Sequence, residues 1–231
     1  MPATSISFRR VTQFVIPEGL VQITKANVPL GSIRRDTHTL TVGRVVFQKY
    51  RCQYTKDIVD EITVYDTNIE DYVEYDQYKK SFDFNIFYSS QNHILFSDAT
   101  TPVTKKFLKQ LAAEDIVELD YQTIHLDMEN ISGRMPQTKG IRFSTVDEGV
   151  TRKNFSGDEV DVNEEAVDAL QNDAAIQIIG TLDIGGRGRT VMISQAGTLV
   201  SFTSLVDMDD REYPMLEFSL EVLQEIGVLT V

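Results

Sequence analysis

Phe82, Phe84, Ile86 and Tyr88 fall on alternate residues, the period of a strand that turns one face to a core and the other outward. Four large side chains on one face commit this part of the chain to sheet. The same alternation predicts strands over Ser5–Phe8, Val21–Thr24, Thr39–Gln48, Glu61–Tyr65 and His93–Phe96. Ser89-Ser90-Gln91-Asn92 has the length and polarity of a hairpin loop, so the strands on either side of it are expected to pair.

After Asp98 the period changes. Thr101 can cap and Pro102 suits a first helical turn, while Val103, Phe107, Leu108, Leu111 and Ala112 recur at helical spacing. Lys105, Lys106 and Lys109 lie on the other side of that helix. Further strands are expected at Ile116–Leu119, Ile124–Met128, Ile141–Ser144 and Val150–Asn154, with Asn130–Pro136 as a loop. Asp161 with Glu164 resembles a capping box, and Val162, Ala166, Val167 and Leu170 then share a helix face.

Ala175–Ile184, Arg189–Ser194 and Thr198–Thr203 are β-prone runs separated by Gly185-Gly186-Arg187-Gly188 and Gln195-Ala196-Gly197. Glycine supplies the positive φ of tight hairpin turns, so a three-stranded meander is expected. From Pro214, Leu216, Leu220, Leu223 and Ile226 favour a closing helix over the competing strand pattern Leu216, Phe218, Leu220, Val222. The fold class expected is α+β, mainly antiparallel, with two or three helices and a C-terminal meander followed by a helix. No Pro-, Gly- or Ser-rich linker divides the chain. The change of period near residue 98 separates a strand-rich part, 1–98, from an αβ part, 99–231, within one compact unit.

Charge is distributed unevenly. Met1 to Lys56 holds nine Lys and Arg against two acids, a local +7, and the other 175 residues carry −20, for a net −13. From Asp57 to Asp76 there are eight acids and no Lys or Arg, interleaved with Tyr65, Tyr72 and Tyr75. Either the two segments face one another across one surface, or the basic one docks an anionic partner.

Composition bounds the rest. At 42% hydrophobic residues the chain can bury a core, and no window approaches a membrane-spanning apolar run. The single Cys52 excludes a disulfide framework and any cysteine-rich metal site. The opening MPATSISFRR lacks the apolar stretch of a secretory signal, so a reducing, cytoplasmic setting is expected.

Chemical motifs are sparse. Gly185-Gly186-Arg187-Gly188 lacks the Lys-Ser/Thr ending of a phosphate loop and precedes a strand pattern. His38, His93 and His125 are scattered outside metal-binding patterns, so neither metal nor cofactor is expected. There is no GxSxG, and Cys52 has no patterned His beside it. Asp98, at a strand end, can present a carboxylate or cap the turn that follows.

The leading expectation is a non-enzymatic interaction or regulatory protein, self-associating or bound to a protein partner. It would dock an anionic molecule, nucleic acid among the options, through Arg9, Arg10, Arg34, Arg35 and Arg44, helped by Lys105, Lys106, Lys109, Arg187 and Arg189. One competing class is a metal-dependent nuclease or phosphoesterase using Asp127, Glu129 and Lys139. Another is an acidic inhibitor whose Asp57–Asp76 run imitates a phosphate backbone.

Overall fold

The computed structural model describes residues 5–229. Its strands are β1 (Ser5–Val15), β2 (Leu20–Lys25), β3 (Val28–Val42), β4 (Val45–Asp66), β5 (Asp71–Ser89), β6 (Ile94–Ser97), β7 (Glu118–Gln122), β8 (Gln137–Ser144), β9 (Arg152–Ser156), β10 (Ala175–Ile184), β11 (Arg187–Ser194) and β12 (Thr198–Ser201). The helices are α1 (Thr101–Leu111), α2 (Met128–Gly133), α3 (Glu164–Gln171) and α4 (Pro214–Glu225). All twelve strands belong to one antiparallel sheet in the order β2-β3-β4-β5-β6-β1-β12-β11-β10-β8-β9, with β7 on the remaining part of β1.

Alternation along the strands feeds two cores. Phe8, Phe47, Phe87, Ile94 and Phe96 join one cluster, with α2, α3, α4 and the C-terminal strands. Tyr50, Cys52, Tyr54, Phe84, Ile86 and Leu95 join the other, beneath Val103, Phe107, Leu108 and Leu111 of α1. Since neighbouring residues such as Leu95 and Phe96 divide between the clusters, the two cores lie on opposite faces of the sheet. A buried set of hydroxyls fixes the start of α1 over its centre: Thr104 Oγ1 donates to Ser97 Oγ at 3.0 Å, and Thr101 Oγ1 to Ser7 Oγ at 3.3 Å.

The expected α+β class is overturned. Strands make up 52% of the chain and helices 19%, in one large sheet with four helices rather than a balance of the two. Much of the excess lies in residues 49–81, where acidic and polar side chains mask the alternation although the backbone forms a continuous ladder. The run Thr39–Gln48 is not one strand: Gly43 adopts φ +58° and Val42 pairs with Val45, which splits it into a hairpin.

Ile124–Met128 is not a strand either. Asp127 accepts a hydrogen bond from Asn130 N at 2.9 Å and caps α2, which occupies part of the expected loop. Helix α3 is capped by Asn163, which accepts from the Glu165 and Ala166 amides, while Asp161 sits in the preceding 3-10 turn. The meander β10-β11-β12 closes on the two-residue turn Gly185-Gly186, both at positive φ, and α4 begins at Pro214. Among the described residues, no helix is long and apolar enough to cross a membrane.

The β3–β4 pairing ends at Gly31 opposite Tyr54. A Cβ at Gly31 would lie 2.1 Å from the Gln53 carbonyl oxygen, so the two backbones approach as only glycine permits. Gly31→Ala is expected to lower stability by about 1–3 kcal/mol, read as a lower urea midpoint with an unchanged slope.

Candidate functional site

Strands β4 and β5 outrun the rest of the sheet. Beyond Tyr54 on β4 and before Phe84 on β5 they pair only with each other, from Thr55 opposite Ser81 to Asp66 opposite Asp71. At ~3.3 Å per residue this two-stranded arm projects on the order of 35 Å. No residue from Thr55 to Asp83 is buried. Its tip is an Asx turn: Asp66 Oδ1 accepts from Asn68 N at 2.8 Å, and Glu70 adopts φ +53° before β5 begins.

The register sorts the arm's side chains. Val59, Ile62 and Val64 of β4 lie opposite Gln77, Tyr75 and Val73 of β5, which share a face because β5 has no irregularity there. A bulge at Asp60-Glu61 keeps Ile62 on that face. Tyr65 and Tyr72 meet edge to face on the other side, with ring centroids 5.2 Å apart. Val59 is 86% exposed and Tyr72 69%. The eight acids of Asp57–Asp76 all belong to this arm, and among the described residues none of them forms an ion pair.

The acidic and basic segments therefore do not neutralise each other within the chain. Lys49 and Arg51 turn instead to Asp36, at 4.0 and 3.1 Å. The ten bases expected to contact an anion separate into two groups.

Arg9 and Arg189 are corrected to internal roles. Arg9 is buried and donates from Nη1 to the Phe8 and Gly197 carbonyls at 2.5 and 3.2 Å; burial draws its guanidinium below the ordinary value. Arg189 is buried too, donating to Ser204 O at 2.7 Å and pairing through Nη2 with Asp207. Arg187 is exposed but reaches the same carboxylate at 3.0 Å.

Arg10, Arg34, Arg35, Arg44, Lys105, Lys106 and Lys109 are exposed. Arg44 lies beside Glu217 and Glu221 in a groove under α4. Arg10 lines a groove of about 630 Å3 with His125, Asp127 and Arg134. Arg34, Arg35 and the three lysines of α1 fall on adjoining elements. Together β2, β3 and α1 carry six bases (Lys25, Arg34, Arg35, Lys105, Lys106, Lys109) against Asp36 alone, and α1 packs against β2. Exposed Leu20 stands opposite Arg34, and exposed Val28 opposite Lys25. Since β2 ends the sheet, this flank also offers a strand edge, on which the Thr24 amide donates to Glu114 Oε1 at 2.6 Å.

The other candidates are dispersed. Asp127 caps α2, Glu129 stands exposed in its first turn, and Lys139 on β8 points to Thr190 Oγ1 at 3.5 Å. The i, i+2 strand geometry expected to align the two carboxylates is not formed. Cys52 is buried, and burial holds its thiol well above the ordinary value. His125 lies 3.7 Å from Asp173. Among the described residues no three His, Cys, Asp or Glu side chains converge as metal ligands.

Of a polar cluster beside the first core, the sequence singles out Asp98 alone. Lys49 Nζ donates to Tyr213 OH at 2.9 Å, next to a cleft of about 220 Å3 lined by Asp98, Phe87 and Tyr213. Burial raises the Asp98 carboxyl, and hydrogen bonds from the Asn85 side chain and backbone N pull it back. No family model matches the chain, and no curated protein matches it.

Arg9→Ala is expected to cost about 1–3 kcal/mol through its lost charged hydrogen bonds, whereas Arg34→Ala and Arg35→Ala stay within about 0.5 kcal/mol in urea titrations. For Asp207, the hydrogen bond from Arg189 lowers the folded-state pKa. The ionised carboxylate therefore favours folding above its ordinary pKa, and that contribution is lost as pH falls through the lower folded value. Unfolding of wild type and Asp207→Asn across the acid range should show a stability difference at neutral pH that closes at low pH.

Proposed function

We propose that this chain is an interaction protein, a component of a larger assembly, in which the β4–β5 arm is the principal docking element and the basic flank of β2, β3 and α1 is its counterpart. The observation that carries the reading is the arm's double exposure. A two-stranded ladder with neither face covered is marginal in water, yet this one displays apolar Val59, Val64 and Tyr75 among eight unpaired carboxylates. Apolar side chains at the centre with charges around them are the make-up of a protein–protein contact.

The anionic partner expected from the basic segment keeps its place, met by Arg34, Arg35, Lys105, Lys106 and Lys109, with Arg9 and Arg189 withdrawn to structural roles. The arm's carboxylates call for a basic surface on whatever it meets.

Residues 59–77 can be replaced by Asn-Gly, which closes the hairpin between Ile58 and Tyr78. The shortened chain should keep its circular dichroism and lose less than about 1 kcal/mol, or roughly 2–4 °C in Tm. In the free full-length protein the arm amides should exchange with deuterium far faster than those of β1 and β6. A fall in Tm of more than about 10 °C, or loss of the fold, would make the arm part of the core and remove the reading.

A further inference from the structure

We infer that the arm's partner is a second copy of this chain, docked head to tail so that the arm of one copy lies along the β2–β3–α1 flank of the next. This rests on the interaction reading above and names the partner. The first support is charge: an arm with eight acids and no base over residues 57–76 meets a flank whose three elements carry six bases and one acid, with Glu114 beside β2 as a second. The second is the arrangement of apolar residues. Val59, Ile62 and Val64 stand beside Asp60, Glu61 and Asp66 on the arm, and Leu20 and Val28 stand opposite Arg34 and Lys25 on the flank. Each surface thus offers apolar positions of its own together with the charge sign that the other lacks.

The third support is reach. The arm is rooted at the flank's own border, where Tyr54 and Phe84 pack against Phe107 of α1 with centroids 6.0 and 5.0 Å apart. From that root the ladder carries its carboxylates outward, so it cannot fold back onto its own flank without breaking the Thr55–Ser81 to Asp66–Asp71 register. Only another copy can bring the two surfaces together. A contact between different surfaces is heterologous, and repetition gives a ring or an open filament.

Sedimentation velocity of the full chain at tens of micromolar should show multimers at low salt that dissociate toward monomer as salt rises. Arg34→Glu with Arg35→Glu and Lys106→Glu removes the flank's positive charge; Asp60→Lys with Glu61→Lys and Glu74→Lys removes most of the arm's negative charge. Each triple variant, with wild-type circular dichroism and Tm, should weaken self-association by about a hundredfold or more. Mixed at equal amounts, the two should form dimers and nothing larger through the one remaining matched pair of surfaces, the unaltered arm of the flank variant on the unaltered flank of the arm variant. A chain carrying all six substitutions should stay monomeric.

A wild-type chain that stays monomeric at low salt overturns the inference, as do multimers indifferent to both triple variants. If the monomeric chain's shortened form still folds, the arm serves a different basic partner and the interaction reading survives. If the shortened form unfolds, both fall.

Discussion

β1 is hydrogen-bonded to β6 along one side and to β12 and β7 along the other, so the first strand of the chain forms the seam on which the whole sheet closes. Its partners are distant in sequence: Ser5 lies opposite Val200, and Arg10 opposite both Ile94 and Gln122. Closing such long loops costs chain entropy before any contact repays it. Its residues serve the seam on both faces. Ile6 and Phe8 enter one core and Val11 the other, while Arg9 is drawn inside to bond the Gly197 carbonyl in the turn before β12. Gly197 holds φ +68°, and a Cβ there would meet Arg9 Nη1 at 2.4 Å, so the turn and the arginine require each other.

The same seam accounts for the electrostatic layout. With β1 and β6 holding the root of β5, and α1 fixed above by Ser97 and Ser7, the arm leaves the body in a set direction. From Asp60 outward, at ~3.3 Å per residue, its charges then lie beyond the ~8–10 Å range over which exposed charges act in physiological salt. Segments that would attract one another in a flexible chain are held apart by backbone pairing. A net charge of −13 is therefore a poor guide to the surface.

Much of this was legible in the sequence where apolar alternation was unbroken. Phe82–Tyr88, the glycine-punctuated meander and the helix after Thr101 each correspond to an element in the fold. The long reach of β4 and β5 was not, because strand alternation is a signature of half-burial, and a ladder wet on both faces carries none. Glu61–Tyr65 was visible only as a fragment. Likewise the +7 segment was read as one surface, whereas burial is decided residue by residue. Arg9 and Arg10 are adjacent, and strand geometry sends them to opposite faces, one buried and one exposed. The clustering of Arg34 and Arg35 with Lys105, Lys106 and Lys109 required α1 to pack against β2, a contact no local pattern encodes.

An exposed apolar ladder beside an open sheet edge invites indiscriminate pairing, and the acid content of the arm bears on that risk. Eight carboxylates on a ribbon of this length repel a second arm, so arm-to-arm stacking through Val59, Val64 and Tyr75 is opposed by like charge. The bases of β2 and β3 do the same for edge-to-edge pairing of two flanks. What neither set opposes is the cross contact between arm and flank. Repulsion in the two symmetric arrangements and attraction in the third is the pattern expected of a surface pair selected for one partner orientation. On the head-to-tail arrangement proposed above, the apolar residues can stay exposed because the same charges keep the unpartnered chain apart from its own kind in every other alignment.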